Sequence, residues 1–423
     1  MSGTLSAKHK LDFITKGLSA QVYFSFESNN YQHTTRLQSF DSFWYKGKDA
    51  TGEAIYQPHS VKSRLSTTDS RWVERYTYLD VRLNYDRTFA EKHQISAQLL
   101  GNRTLRSQNA ELPYAYQGIS SRIAYNFDTR YYLEANIGYN GSENFPPKKR
   151  YGFFPSGAIG WIVSEESFMQ PFRRTISKLK LRASYGQTGN ATLNGRRFAY
   201  LSTINDSWDD LKQYNWGTES GYNRNGMAEG EFAVPNLTWE VVNKANVGLE
   251  LGLFNGMVDL QFDLFDERRH NIFMPRESIP ITAGFIKQPW DNYGKMKNQG
   301  AEVTLNINKQ FNKNLFVSLM GTLTYAHNEI TEKDEPAAVV GTNRAETGYP
   351  TGQNRGYIAE RLFTNDDFAD VAAGTLKEGI PAQTFTAKLR PGDIKYVDVN
   401  QDGKIDAFDV SLSLIHISEP TRL

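Results

Sequence analysis

The 423-residue sequence predicts an all-β chain, an antiparallel up-and-down sheet with short turns at one end and long loops at the other. Three observations predict it. Apolar and polar residues alternate with a period of two in segment after segment, the pattern of strands with one apolar face. The composition, 13% aromatic with 23 Tyr, 25 Phe and 33 Gly, matches strand and turn usage, while helical periodicity is scarce. Finally, the connections alternate between very short and very long.

In chain order, a weak segment before Lys16-Gly17 precedes the first clear strand, residues 20 to 27. A long connection after Phe26 leads to 76 to 87, which a short link at Thr88 to His93 joins to 94 to 103. A further long connection after Arg103 leads to 119 to 127, and Asp128-Thr129 is a short turn into 130 to 140. There Tyr131, Leu133, Ala135, Ile137 and Tyr139 face one way, and Tyr132, Glu134, Asn136, Gly138 and Asn140 the other. Strands at 154 to 163 and 178 to 186 flank a medium link, Ser164 to Ser177, before the longest loop, Gln187 to Asn243. In 244 to 253, Val247, Leu249 and Leu251 alternate with Asn246, Gly248 and Glu250 until Asn255-Gly256, the strongest short-range hairpin signal. The return strand, 257 to 266, alternates Val258, Leu260, Phe262 and Leu264 with Asp259, Gln261 and Asp263. Gln310 to Asn314 joins the last pair, 299 to 309 and 315 to 326.

Long loops confined to one end are the habit of outer-membrane barrels, and segments of about 9 to 11 residues suit a tilted crossing of the hydrocarbon layer. Mean hydropathy is −0.57 and no long apolar run exists, as expected when the lipid face occupies every second residue. The strand at 130 to 140 begins and ends its apolar face with tyrosine, as an interfacial girdle does. A charge at the midplane of such a barrel costs about 2 to 4 kcal/mol, so Glu134, Asp259, Asp263, Glu302 and Arg82 are expected to face the lumen. The same alternation also fits a water-soluble sandwich with its apolar faces buried between sheets.

A net charge of +1, from 48 basic and 47 acidic residues spread along the chain, supplies no basic stripe for nucleic acid. Without cysteine there is no disulfide framework, thiolate metal site or cysteine nucleophile. The histidines are scattered, the pairs Glu165-Glu166 and Asp209-Asp210 read as solvated charge, and no catalytic or phosphate-loop motif occurs, so no enzyme activity is expected. Met1 to Lys10 lacks the apolar core of a signal peptide, which predicts either a protein that is not exported or a partial chain.

Several long stretches carry a resemblance: YYLEANIGYNGSENF, RYGFFPSGAIGWIVSEESFM, LKLRASYGQTGN, PNLTWEVVNKANVGLELGLFNGMVDLQFDLFDE and NYGKMKNQGAEVTLN. In order and spacing they resemble the barrel of SusC/RagA-type TonB-dependent outer-membrane transporters of Bacteroidetes-type Gram-negative bacteria. The resemblance implies a transmembrane barrel of about 22 strands with a plug domain. It also implies uptake of oligosaccharides or peptides, energy from TonB and a SusD-like surface lipoprotein as partner. On that pattern residues 1–410 are a partial barrel, about 12 of the strands, without plug or TonB box. Such a piece is expected to leave two long sheet edges and not to transport by itself. Residues 411–423, SLSLIHISEPTRL, resemble translated adapter sequence and are expected to be a non-native tail.

The sharpest local motif is DVNQDGKIDAFD, with Asp398, Asn400, Asp402, Asp406 and Asp409 at positions 1, 3, 5, 9 and 12 of a calcium loop. Gly403 stands at the sharp turn, and Lys404 at position 7 would contribute its backbone carbonyl. Calcium is therefore the expected cofactor, and the competing reading is a turn that satisfies its own amides. Within the longest loop, Trp208, Tyr214, Trp216 and Tyr222 have the flat rings that stack on sugars and are the candidate substrate contacts. The blander account packs Trp208, Tyr214 and Trp216 inside the loop and makes Trp239 a membrane-interface anchor. The functional reading is an outer-membrane importer; the alternatives are a soluble β-rich carbohydrate-binding or hydrolytic module and an outer-membrane adhesin.

Overall fold

A computed structural model describes residues 1–109, 111–216, 222–386 and 388–412, and at 206–216 and 222–226 it describes the backbone alone. Twelve strands follow one another in chain order in an antiparallel sheet. They are β1 (Ser2–Lys10), β2 (Leu18–Leu37), β5 (Ser66–Phe89), β6 (His93–Gln108), β7 (Tyr114–Phe127), β8 (Tyr131–Ser142), β9 (Tyr151–Ile162), β10 (Ile176–Asn190), β13 (Glu240–Leu253), β14 (Val258–Pro275), β15 (Trp290–Asn312) and β16 (Leu315–Glu332). Loops carry two further hairpins, β3 (Ser42–Lys48) with β4 (Ala54–Ser60) and β11 (Ile204–Trp216) with β12 (Tyr222–Glu229).

Every segment expected from alternation sits on one of the twelve strands, but the strands are longer than expected. β5 has 24 residues, β15 has 23 and β2 has 20. The cause is that lipid imposes the period of two only where it touches the sheet, whereas backbone pairing runs on wherever two chains stay adjacent. Beyond Leu264, β14 remains paired with β13 as far as His270↔Val241 although both faces have become polar. The long connection expected after Arg103 is corrected for the same reason: β6 continues to Gln108 and β7 begins at Tyr114.

The chain divides into two compact units, Met1–Asp86 with Gln98–Ser121 and Arg87–Ala97 with Arg122–Leu423. In the first, the register aligns Leu5↔Phe24↔Leu79 and Ala7↔Val22↔Val81 on one face, with Ser6↔Tyr23↔Asp80 and Lys8↔Gln21↔Arg82 alternating with them on the other. Asp80 is fully buried and Arg82 grips it with two bonds, at 2.8 and 2.6 Å.

The second unit shows the same division over seven strands. One row runs Tyr131↔Trp161↔Leu181↔Leu249↔Phe262↔Val303↔Leu323, and a second runs Leu133↔Ile159↔Ala183↔Val247↔Leu264↔Ala301↔Tyr325. Leu251, Leu260 and Leu305 extend this face, and Val258 lies beside Ile307 on it. The intervening row, Tyr132↔Gly160↔Arg182↔Gly248↔Asp263↔Glu302↔Thr324, belongs to the opposite face.

The apolar rows are not a dry core. Leu133 is 55% exposed, Ile159 60%, Val247 58% and Leu264 48%. The largest buried cluster, Phe145, Leu193, Ala199, Val234, Leu237, Trp239 and Phe273, lies in the loops and the strand ends that bear them. A sandwich would have buried the rows against a second sheet, because each large side chain left in water forfeits about 1.5 to 3 kcal/mol. An unburied apolar ladder is instead what a sheet presents to lipid.

At the short-turn end, Ala90 and Glu91 have φ of 46° and 58°, and Asp128 and Thr129 have φ of 52° and 57°. Two successive left-handed residues are what a two-residue hairpin whose twist matches its strands requires. Asn255-Gly256 turns as its sequence predicts, with φ of 58° and 81°. The medium link contains two 3-10 helices, Val163–Glu165 and Ser167–Phe172. After β16 the chain forms short ladders around a small core of Phe363, Phe368 and Leu389. Ser411–Leu412 pair with Arg355–Gly356, and the rest of the expected tail, 413–423, lies outside the described residues.

Candidate functional site

The polar face of the second unit is a connected charge network built by period two. Lys178, Lys180 and Arg182 on β10 share the carboxylate of Glu250 on β13, at 2.7, 3.2 and 3.4 Å. Arg182 also reaches Asp263 on β14 at 2.7 Å, and Gln261 donates to Asp263 at 3.0 Å. Gly248 is the residue that lets these groups meet, since a Cβ there would lie 2.6 Å from Asp263 Oδ1 and 2.8 Å from the Arg182 guanidinium carbon. Glu134, on β8, accepts from Arg122 at 2.7 Å and from Asn136 at 2.9 Å. Asp263 and Glu302 share one row of this face and Asp259 lies two rows nearer the turn on it, so these carboxylates, expected to avoid lipid, share the polar face. Arg122 meets Glu134 and the β10 cations meet Glu250 one strand away, while Arg182 reaches Asp263 across two, giving a wall of mixed sign.

The loops above this wall are held by aromatic packing and side-chain amides. Trp239 is 4% exposed, stacked on Phe145 at 4.8 Å and met edge-on by Phe154 at 5.3 Å. The expectation that Trp239 anchors the membrane interface is therefore corrected: its indole N–H donates to the Arg150 carbonyl at 3.3 Å, inside the loop core. Asn292 donates to the carbonyls of Thr238 and Asn271, at 3.0 and 2.9 Å, and accepts from the Thr238 amide at 2.9 Å. Arg276 packs on Tyr293 and pairs with Asp334 at 3.1 Å, while Ser278 gives Asp334 two further bonds, so the segment after β14 is clamped to the segment after β16.

Of the aromatic candidates, the backbone places Trp208 opposite Gly226, Tyr214 opposite Arg224 and Trp216 opposite Tyr222 in the β11–β12 hairpin. Their side chains lie outside the described residues.

The 398–409 segment is a compact self-bonded turn. Gly403, at φ 86°, donates to Asp398 at 2.8 Å, and Lys404 donates to Asp402 at 3.1 Å. Asp409 is fully buried and accepts from the amides of Val399, Asn400 and Asp406, at 2.9, 3.3 and 2.8 Å. The Lys404 ammonium lies 3.1 Å from Asp406 and 3.9 Å from Asp402. The Phe408 amide, and after it Lys404, hold the Asp406 carboxyl below the usual aspartate range. Among the described residues no group of three or more acidic, histidine or cysteine side chains converges as a metal cage. The hard oxygens of Asp398, Asn400, Asp402 and Asp406 fit calcium in type, and a cation already stands beside two of them.

A sheet greased on one face and charged on the other, with loops packed at one end, defines an outer-membrane barrel wall. The family model "TonB dependent receptor-like, beta-barrel" matches residues 2–414, and the chain belongs to that family. Its place is the outer membrane of a Gram-negative bacterium. It is similar to the TonB-dependent receptor SusC of Bacteroides thetaiotaomicron, 28% identical over 297 residues, which are 68% of this chain and 27% of that protein. TonB-dependent receptor P26 of Formosa agariphila is 30% identical over 292 residues, 68% of this chain and 28% of that protein. The RagAB peptide importer in its closed-closed state superposes with a TM-score of 0.65 at 16% identity, over 97% of this chain and 44% of that chain, which shows the shared fold. The chain thus spans under a third of the length of these two curated relatives.

Proposed function

We propose that this chain forms part of the wall of a TonB-dependent importer of oligosaccharides or peptides that works with a SusD-like lipoprotein on the cell surface. The observation that carries the reading is the pair of faces in the second unit, an exposed apolar ladder back to back with the Arg182–Glu250–Asp263 network. Family membership supports a TonB-dependent receptor, the resemblance to SusC/RagA-type transporters implies oligosaccharides or peptides as cargo, and the structure of like fold is that of a peptide importer. The wall's part is passive: it carries charge of both signs next to water and holds the loops that first meet the solute. Short turns lie on the periplasmic side and loops outside, so the partner lipoprotein would sit over the loop cluster around Trp239. The test is growth of a host on candidate glycans and peptides when the gene carrying this segment is deleted and restored. Loss of growth on one class, recovered on restoration, supports import; unchanged growth on every class removes it.

The same reading includes calcium at 398–409, supported by the six-position spacing and by the left-handed Gly403 at the sharp turn. Asp398, Asn400, Asp402, Asp406 and Asp409 would hold the ion with the Lys404 carbonyl, at a loop end where millimolar calcium is available. A self-capped turn is the competing reading, favoured by the three amides that already bond Asp409. Titration of the chain with millimolar calcium decides between them: heat that disappears in D398N/D402N supports the ion, and no heat leaves the turn self-capped.

A further inference from the structure

The medium link between β9 and β10 has no counterpart among the tight turns at its end of the sheet. Its Glu166, 9% exposed, accepts the Tyr131 hydroxyl at 2.6 Å and the Trp161 indole N–H at 3.1 Å, with Arg130 at 3.2 Å on the other oxygen. Tyr131 and Trp161 head the apolar row that continues through Leu181 and Leu249, and their rings stack at 6.4 Å with 9° between planes. These bonds fold the link toward the lipid side of the sheet rather than over its charged face. Within it Val163, Ser164 and Met169 are buried, yet Phe168 is 59% exposed and Phe172 56%. Phe254 donates its amide to the Thr175 carbonyl at 2.8 Å, which brings a third exposed phenylalanine, at 51%, beside the segment. Exposed Arg173 and Arg174 follow directly, the former paired with Glu165 at 2.7 Å.

We propose that Val163–Thr175 is a membrane foot: Phe168 and Phe172 enter the boundary between head groups and acyl chains of the periplasmic leaflet, and Arg173 and Arg174 hold the phosphates of anionic glycerophospholipid there. Aromatic rings prefer that depth, and basic residues near an anionic leaflet are attracted to it. Continuity with the Tyr131–Trp161 girdle argues for lipid over a periplasmic protein as the occupant. The proposal rests on the barrel-wall reading and fails separately from it.

Because the chain has no cysteine, F168C and F172C can each carry a single bimane label, with L181C on the apolar row and E91C in a tight turn as references. The full chain is reconstituted in 3:1 phosphatidylethanolamine–phosphatidylglycerol vesicles with brominated acyl chains, and iodide serves as the aqueous quencher. The foot predicts strong bromolipid and weak iodide quenching at 168 and 172, resembling 181 and unlike 91, with a loss of bromolipid quenching in R173Q/R174Q. Iodide quenching at 168 and 172 while 181 still reports lipid overturns the foot alone. Labels shielded from both quenchers mean a protein cover and also overturn it, and unchanged quenching in R173Q/R174Q overturns the phosphate contact. Iodide quenching at 181 overturns the membrane reading and the foot with it.

Discussion

Glycine carries much of the specificity in this chain at the level of single residues. A Cβ at Gly189 would lie 2.0 Å from Phe154 Cζ, and one at Gly152 would lie 2.3 Å from the same atom. The Phe154 ring therefore lies flat across two bare backbones and presents its edge to Trp239. The stretches GFF and GQTGN, far apart in sequence, are two halves of that one contact. Gly189→Ala should push the ring from its seat and lower stability by about 1 to 3 kcal/mol, measured as a shift of the urea midpoint for folding into lipid vesicles. Gly248→Ala should do comparable damage by a different route, wedging Arg182 away from Asp263; an unchanged midpoint would show that the charged face tolerates a looser fit.

Among the elements, strands were legible and their ends were not. Val247 to Leu251 and Val258 to Leu264 announce themselves because lipid on one side and water on the other force alternation. Where both faces become aqueous, as beyond Leu264, that force vanishes and the strand continues unannounced. Ala90-Glu91 adopts left-handed geometry without Gly or Asn, so turn chemistry gave no warning. The buried role of Trp239 was hidden similarly, since one sequence says that an indole wants burial but not whether lipid or protein provides it. The charged residues of the wall were legible as a face, but not the Arg182–Glu250–Asp263 partnership, which depends on register between three strands.

The loop ladders after β16 carry their own pH dependence. Arg361 holds Asp367 through two bonds of 2.6 Å, and the Thr364 amide adds a third at 2.7 Å, so the Asp367 carboxyl sits far below the usual aspartate value. A depressed folded value means stability that is present above the unfolded value, about 3.9, and lost progressively as pH falls below it. Hydrogen-exchange protection factors across 363–376, which remove the intrinsic pH dependence of exchange, should therefore be high at pH 6 and fall below about pH 4, and Asp367→Asn should abolish the difference. Protection that is already low at pH 6 in the unmodified chain would contradict the clamp.

For the whole molecule, two environments meeting across a single layer of backbone explain both the sequence pattern and the placement of the buried residues. Among the described residues the apolar rows carry no second layer because lipid takes that role, and the largest buried cluster lies in the loops and the strand ends that bear them. The most direct test places nitroxide labels one at a time at Asn246, Val247, Leu249, Glu250 and Leu251 of β13, with the chain reconstituted in bilayers, and compares relaxation by oxygen with relaxation by a water-soluble nickel complex. Labels at 247, 249 and 251 are expected to favour oxygen while those at 246 and 250 favour nickel. Labels at 247, 249 and 251 that are shielded from both reagents, as inside a protein core, would contradict it.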